Sequence, residues 1–227
     1  YENEAVSAQA ITDINANNRL RIMLLGGNDF TGDSDAMFNI SASGGFINAD
    51  GGLLRMSEYT GTLTDPKLVV TYTDSTTETH YADTSGNYDD AWIRTLGDSS
   101  EANMLSARNA EDAEYFNASG AQVVFGCYSS FLGTFLARAI FQFSTNASKT
   151  ASSANLHIYF NADVSGFINY TWSGLNGIHV AKMSGDVTTS FKVADWSHIE
   201  GWESSGSYAA EEEEAVVYNA TFFGANF

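Results

Sequence analysis

A loop with three aspartates and a glycine is the part of the sequence best suited to binding a metal ion. Asp29, Asp33 and Asp35 lie close together around Gly32. Calcium takes about six to eight oxygen ligands, and loops of this kind supply them. The spacing differs from that of an EF-hand, because the closing bidentate glutamate is missing. Two interpretations stay open, a calcium site at these aspartates and a solvated acidic loop; no other cofactor is expected.

Tryptophans and histidines are the other side chains that could bind a ligand. Trp196 and Trp202 fall in a predicted loop, where exposed indole rings could stack on sugars. Packing in a core or an interface is the commoner fate of tryptophan, so both alternatives stay open. His157 and His179 fall on the polar faces of predicted strands. Opposed on adjacent strands they could bind a metal, but we expect them to face solvent.

Local signatures of catalysis are missing from the sequence. Neither the Gly-x-Ser-x-Gly motif of a nucleophile elbow nor a phosphate-cradling glycine loop occurs. Cys127 is the only cysteine, so the sequence offers no intrachain disulfide and no cysteine-based zinc site. We therefore do not expect an enzyme.

The charge balance excludes two classes of partner. The chain has 28 acidic and 10 basic residues in 227, a formal net charge of −18. Nucleic-acid binding through a basic face needs clusters of lysine and arginine, and anionic lipid attracts the same residues. No apolar run reaches the roughly 18 residues of a membrane span. We therefore expect neither nucleic-acid binding nor membrane insertion.

Five sequons for N-glycosylation occur, about as many as chance predicts. They matter only if the source of the protein glycosylates asparagine. The candidate sites are Asn39, Asn117, Asn146, Asn169 and Asn219.

The elements that must position these residues are mostly strands. The chain has 20 glycines and one proline, and short runs of alternating apolar and polar residues are separated by polar turns. A helix is predicted within Glu2–Asn17, which lacks glycine and proline. These features predict an all-β fold, a jelly-roll-like β-sandwich with one short helix near the N-terminus. The predicted strands are Arg19–Leu25, Ala36–Ile40, Leu53–Tyr59, Lys67–Thr73, Gln122–Tyr128, Phe135–Phe143, Asn155–Phe160, Gly177–Met183 and Ala215–Thr221.

Alternation along these strands also predicts the core. A period of two places alternate residues on one face of a sheet. In Phe135–Phe143 this period separates the phenylalanines and alanines from Arg138 and Gln142, which we expect to face solvent. The residues predicted to be buried are Leu68, Val70, Tyr72, Phe141, Phe143, Leu156, Ile158 and Phe160.

Several motifs resemble one domain type, but in permuted order. The opening of the domain is matched by His80–Thr84, Arg138–Thr145 and Ala154–Phe160, and the part before its helix by Ala194–Ser197 and Tyr218–Thr221. The helix and the next strand are matched by Ala8–Asn17 and Arg19–Leu25. The closing strands are matched by Leu53–Tyr59 and Asp65–Thr73. The chain thus resembles the DNRLRE-type, or disaggregatase-related, jelly-roll domains. That family occurs in extracellular and phage structural proteins, and some members bind carbohydrates.

The permuted order divides the chain into residues 1–73 and residues 80–227, with the polar tract Asp74–Thr79 as the candidate boundary. Together the parts are expected to form one sandwich, closed within one chain or between neighbouring copies. The chain could equally be one repeat of a tandem array. An apolar stretch near the end favours a partner, because an exposed apolar edge strand is costly. The residues of this candidate assembly segment are Val216, Val217, Tyr218, Phe222, Phe223 and Phe227.

The sequence and the resemblance together imply a structural role. We expect a subunit or repeat of an extracellular filament, fibre, sheath or virion appendage, which associates head-to-tail with copies of itself through strand exchange and apolar packing. The alternative is a carbohydrate-binding module of a secreted protein or phage fibre, with a polysaccharide as partner. Both expectations place the protein outside the cell or on a virion surface.

Overall fold

Two antiparallel sheets and a short helix make up most of the structure, a computed structural model. This architecture confirms the predicted all-β sandwich. The structure describes residues 2–26, 29, 47–57, 63, 65–82, 90–97, 107–110, 112–118, 122–130, 133–161, 168–170, 178–183, 191–199 and 217–219.

The elements are numbered along the chain. A 3₁₀ turn covers Val193–Trp196. The helix and strands are β1 (Glu2–Ala5), α1 (Ala8–Asn17), β2 (Arg19–Gly26), β3 (Ile47–Arg55), β4 (Lys67–Tyr72), β5 (Thr77–Tyr81), β6 (Asp90–Gly97), β7 (Tyr115–Asn117), β8 (Gln122–Ser130), β9 (Gly133–Ser144), β10 (Ala151–Ile158), β11 (Phe160–Asn161), β12 (Ile168–Tyr170), β13 (Ile178–Lys182) and β14 (Val217–Asn219).

The two sheets differ in size. The small sheet has the order β1-β10-β4-β5, and all its neighbours are antiparallel. The large sheet runs β11-β3-β8-β9-β2-β13-β14. Strand β6 pairs with β9 and β7, and β12 pairs with β3 in parallel. The first part of β9 pairs with β8 and its second part with β2, so β9 links the strands of the large sheet.

The main core lies between the sheets. Seven of the residues predicted to be buried belong to it: Leu68, Val70, Tyr72, Phe141, Phe143, Leu156 and Ile158. The side chain of Phe160 lies outside the described part. Leu20, Ile22 and Leu24 of β2 pack into the same core. The period-two pattern therefore assigned the inner faces correctly in β4, β9 and β10.

Helix α1 closes one side of this core. Ser7 caps it by accepting a hydrogen bond from the Ala10 backbone, and Ala10 and Ile14 are buried. The helix ends at Asn18, which adopts a left-handed conformation with φ of 54° and donates its N–H to Ile14. The predicted C-terminal end is confirmed. The predicted start at Glu2 is wrong, because Glu2–Ala5 forms β1 and pairs with β10.

The other face of the large sheet is also covered. A second buried cluster includes Met23, Ile140, Phe191 and Trp196. Arg138 and Gln142 lie on this face and are buried, so the prediction that they face solvent is wrong. The reason is that residues 191–199, together with residues 107–110 and 113, pack over the strands.

The polar tract Asp74–Thr79 lies inside the small sheet. Residues 73–76 form the hairpin turn between β4 and β5, which pair directly, and residues 77–79 belong to β5. The Asp74 carboxylate accepts hydrogen bonds from the backbone and hydroxyl of Thr76, and Ser75 has a positive φ of 66°. The division of the chain at this tract stays a prediction. The predicted strand Ala36–Ile40 lies outside the described residues.

Candidate functional site

Asp29, the first residue of the predicted calcium loop, is buried against an arginine. Its carboxylate accepts two hydrogen bonds from Arg138, one from Nε and one from Nη2, each at 2.7 Å. Only 2 % of its side chain is exposed. A carboxylate held in this bidentate way is part of a buried ion pair, so neither a calcium ligand nor a solvated loop describes Asp29. Asp33 and Asp35 lie outside the described residues.

Trp196, a candidate for stacking on sugar rings, is fully buried. Its indole N–H donates to the carbonyl of Ala107 at 3.1 Å, and Arg138 lies 3.8 Å from the ring centroid. The ring therefore packs in the outer core and is not available to a sugar, which supports the core-packing alternative for this residue. Trp202 lies outside the described residues.

Arg138 is the centre of the outer layer. It projects from β9, is fully buried, and also donates to the carbonyls of Trp196 at 2.6 Å and Arg108 at 3.2 Å. Burial lowers the pKa of the neighbouring Arg108, while the charge of Asp29 opposes that change. One guanidinium thus attaches three distant parts of the chain to a single strand.

A second arginine holds the same covering segment. Arg21 of β2 lies 3.3 Å from the Asp195 carboxylate and stacks 4.3 Å from the Phe191 ring centroid. Asp195 also accepts the backbone N–H of Lys192 at 2.7 Å and lies 3.2 Å from His198. Both pairs use their charges to attach covering segments to the sheet, which suits a structural role.

A polar cluster lies at the rim of the sandwich. The Tyr72 hydroxyl lies 2.9 Å from the His80 ring and accepts the backbone N–H of Asn146 at 3.2 Å. The Lys149 ammonium donates to Glu78 at 2.7 Å, and the Asn146 amide donates to the same carboxylate at 3.3 Å. The cluster joins the β4–β5 hairpin to the connection between β9 and β10.

The cluster shifts the pKa of several of its members. Burial lowers the pKa of His80, against opposing effects of Glu78 and of a hydrogen bond to the Ser144 backbone. The hydrogen bond from Lys149 lowers the pKa of Glu78, and the same bond raises the pKa of Lys149. Burial thus disfavours the protonated form of His80 beside the ion pair of Glu78 and Lys149.

The remaining histidine prediction is also settled by position. His157 is half-buried on β10 in the small sheet, whereas His179 is buried on β13 in the large sheet. The expectation that both face solvent is wrong for His179, and the two histidines do not face each other on adjacent strands. Among the residues that the structure describes, no group of three histidine, cysteine, aspartate or glutamate side chains could hold a metal ion.

The candidate glycosylation and assembly residues are only partly described. The Asn146 side chain bonds to Glu78 and to the backbone of Ser148, and Asn117 is half-buried on β7. Asn169 lies on β12 and Asn219 on β14. Val217 and Tyr218 lie on β14, which pairs with β13 at the end of the large sheet. The candidate residues outside the described part are Asn39, Val216, Phe222, Phe223 and Phe227.

An arginine surrounded by aromatic rings was missed at the level of sequence. Arg94 lies 5.1 Å from the ring centroid of Trp92, 4.7 Å from that of Tyr115 and 4.5 Å from that of Phe135. Tyr115 is 42 % exposed, and the buried indole N–H of Trp92 lacks a hydrogen-bond partner. Alternation in β6 puts Trp92 and Arg94 on one face, which was the available signal. Tyr115 offers an aromatic surface to a ligand.

None of the helices in the described part of the chain is long and apolar enough to cross a membrane. Comparison of the chain with family models, with curated proteins and with solved structures gives no match.

Proposed function

We propose that the protein is a structural subunit, or one repeat, of an extracellular or virion-surface assembly such as a filament, fibre or sheath. Copies associate head-to-tail by exchanging β-strands, and the apolar segment around Val216–Phe227 packs against a neighbour. The protein performs no reaction in this proposal, and its partners are copies of itself.

The way the first three strands pair is the observation that carries this proposal. Among the residues that the structure describes, β1 pairs with β10, β2 pairs with β9 and β13, and β3 pairs with β8, β11 and β12. All these partners come from residues 122–182, and β1–β3 do not pair with one another. Strands β1–β3 therefore pair only with strands that lie much later in the described part of the chain.

Complementary parts of this kind can be exchanged between copies. Every hydrogen bond and buried contact of β1–β3 is the same whether the partner strands belong to the same chain or to a neighbour. Leu20, Ile22 and Leu24 each gain about 1.5–3 kcal/mol from burial, so a sandwich without β2 is strongly destabilised. If each copy donates β1–β3 to the next copy and accepts the same strands from the previous one, a head-to-tail polymer results.

Mixed single-cysteine variants test the exchange. Asn3 of β1 lies opposite His157 of β10. The Val6 backbone donates to Ala154, so Asn3 and His157 form a non-hydrogen-bonded pair with Cα atoms about 4.5 Å apart. A disulfide fits this separation. We expect Asn3→Cys chains mixed with His157→Cys chains to form disulfide-linked heterodimers under mild oxidation.

The matched control replaces Asn155, which lies opposite Ala5 rather than Asn3. Chains carrying Asn155→Cys should cross-link poorly to Asn3→Cys chains. The proposal fails if the Asn3/His157 mixture stays monomeric while the double variant in one chain forms an internal disulfide.

The aromatic group around Arg94 favours a second candidate function, carbohydrate binding. The exposed ring of Tyr115 packs edge-on against Trp92, with ring centroids 5.5 Å apart. A tyrosine held in this way by packing can stack on a sugar ring at low entropic cost.

A panel of soluble polysaccharides tests this second candidate. Tyr115→Ala should abolish retention on any polysaccharide that binds the protein. Tyr81→Ala is the matched control, because Tyr81 is 40 % exposed and lies on β5, outside the aromatic group. Equal losses in the two variants, or no binding by the unmodified protein, would exclude the site.

A further inference from the structure

In the part of the chain that the structure describes, the aromatic group around Arg94 lies at one edge of the large sheet and β14 lies at the opposite edge. One row of cross-strand neighbours connects the two edges. Its members are Asn117 of β7, Trp92 of β6, Ala139 of β9, Leu24 of β2, Val180 of β13 and Asn219 of β14. Neighbouring strands are about 4.8 Å apart, so the two ends of this row are separated by about 24 Å.

Residues 220–227 follow β14 directly and carry the phenylalanines of the candidate assembly segment. They lie outside the described residues. Within one chain the straight path from Asn219 to Trp92 is filled, because Val180, Leu24 and Ala139 are buried in the main core. A second copy placed beyond β14, in line with the row, presents its β7 edge to residues 220–227 instead.

The aromatic group offers both an accessible ring and an unused hydrogen-bond donor. Tyr115 is 42 % exposed and packs edge-on against Trp92, which is only 9 % exposed. The indole N–H of Trp92 has no hydrogen-bond partner in the described part of the chain. A buried donor without a partner costs free energy, which a carbonyl oxygen from a ligand would recover. The group therefore fits an occupant that supplies an apolar ring and a carbonyl oxygen side by side.

The residues after β14 have the matching chemistry. Residues 220–227 contain three phenylalanines and no charged side chain. A phenylalanine ring can pack against Tyr115 and against the guanidinium of Arg94, while the backbone supplies carbonyl oxygens. Copies with a net charge of −18 repel each other, so an uncharged segment is a better contact than one that adds carboxylates.

We propose that residues 220–227 of one copy dock on the aromatic group of the next copy, with a phenylalanine ring against Tyr115 and a backbone carbonyl on the Trp92 N–H. The two surfaces lie at opposite ends of the row, so the contact is heterologous and each copy binds one neighbour at each end. The inference rests on the proposed assembly, because it names the surface that receives the apolar segment.

Binding of a peptide tests this contact separately from assembly. The probe is a fluorescent peptide of residues 211–227, whose four glutamates keep it soluble, added to the whole chain below the concentration at which the chain assembles. Fluorescence anisotropy should show saturable binding, and Tyr115→Ala should raise the Kd at least about tenfold. Tyr81→Ala is the control and should leave the Kd unchanged, because Tyr81 is 40 % exposed but lies on β5.

A control peptide tests the role of the rings. It carries Phe222→Ser, Phe223→Ser and Phe227→Ser. This peptide should not bind, although its charge and length are unchanged. No binding by the natural peptide, or equal affinities of the unmodified protein and Tyr115→Ala, would overturn the inference.

The hydrogen bond to the indole has its own signature. The indole N–H resonance of Trp92 can be identified in NMR spectra as the signal that Trp92→Phe removes. It should move downfield when the peptide is added, because the N–H gains an acceptor. An unmoved Trp92 signal under saturating peptide would overturn the proposed pose.

The cross-linking of Asn3→Cys chains to His157→Cys chains separates this inference from the proposed function. Cross-linking without peptide binding that depends on Tyr115 leaves strand exchange in place and overturns the docking. Peptide binding that depends on Tyr115 supports the docking whether or not the cross-link forms. Retention on a polysaccharide that depends on Tyr115, without peptide binding, assigns the ring to the second candidate function and overturns the docking.

Discussion

The two faces of the large sheet are formed by the same strands but are built from different chemistry. The inner face packs on the small sheet and α1 with apolar side chains, among them Leu20, Ile22, Leu24, Phe141 and Phe143. The outer face mixes apolar side chains with buried arginines, Arg21 of β2 and Arg138 of β9. Each of these two arginines is matched by a carboxylate from a covering segment.

The difference shows what alternation can and cannot establish. A period of two tells which residues share a face, and it separates Arg138 from Phe141 correctly. It does not tell whether the polar face is exposed. That depends on segments far away in the sequence, because Asp29 and Arg138 are 109 residues apart.

Removal of Arg138 should have the largest effect on stability. Arg138→Ala leaves the buried Asp29 carboxylate without its partner, and we expect a loss of about 3–5 kcal/mol in the free energy of unfolding. Denaturant titration measures the loss. Arg19→Ala, at the half-buried start of β2, is the control and should cost less than about 1 kcal/mol. Equal midpoints for Arg138→Ala and the unmodified protein would show that the outer layer is not held by this pair.

Substitutions at two neighbouring residues of β9 compare how much the two faces contribute to stability. Phe141 lies in the inner core and Ile140 in the outer cluster, and both are fully buried. We expect Phe141→Ala to cost about 3–5 kcal/mol and Ile140→Ala about 2–5 kcal/mol in unfolding experiments. A negligible effect of Ile140→Ala would mean that the outer face is solvated, as alternation alone predicts.

A smaller loss of stability is expected from a substitution where α1 contacts the small sheet. The Asn15 side chain donates to the carbonyl of Ala151 at 3.0 Å and accepts its N–H at 2.7 Å. Asn15→Ala removes both of these bonds from the buried Ala151 backbone, so we expect a loss of about 1–3 kcal/mol. Asn17→Ala is the control for thermal melting, because the Asn17 side chain is exposed and donates to the Asp13 carbonyl within the same helix. Asn15→Ala should melt at the lower temperature; equal melting temperatures would contradict the role of Asn15.

The smallest expected effect is the dependence of stability on pH that His80 causes. Burial lowers the pKa of His80 in the folded state, whereas an unfolded histidine titrates near about 6.5. Between these values the unfolded chain binds a proton that the folded chain does not. The stability that depends on neutral His80 is therefore complete above about pH 6.5, falls as the pH drops below that value, and levels off below the folded pKa.

Melting curves recorded from about pH 7.5 to about pH 4.5 test this pH dependence, since that range brackets the histidine titration. His80→Gln should show a shallower decline of the melting temperature below about pH 6.5 than the unmodified protein. Parallel curves for the two proteins would show that His80 does not contribute.

Much of the core could be predicted from the sequence, because β4, β9 and β10 alternate strongly. Strand β5 could not, because Thr77–Tyr81 is polar and short, and its place depends on backbone pairing with β4. Strand β1 was assigned to the helix for a related reason, since Glu2–Ala5 pairs with a strand far away in the sequence. The aspartate loop was misassigned at Asp29 because its partner, Arg138, belongs to a remote strand.

The central claim is that copies of this chain assemble into a polymer. Electron microscopy of the purified chain over a range of concentrations, paired with light scattering of the same samples, tests it most directly. The account predicts linear assemblies that lengthen as the concentration rises, joined by exchanged strands. Particles with the mass of one chain at every concentration, with both parts of the sandwich closed inside it, would contradict the claim.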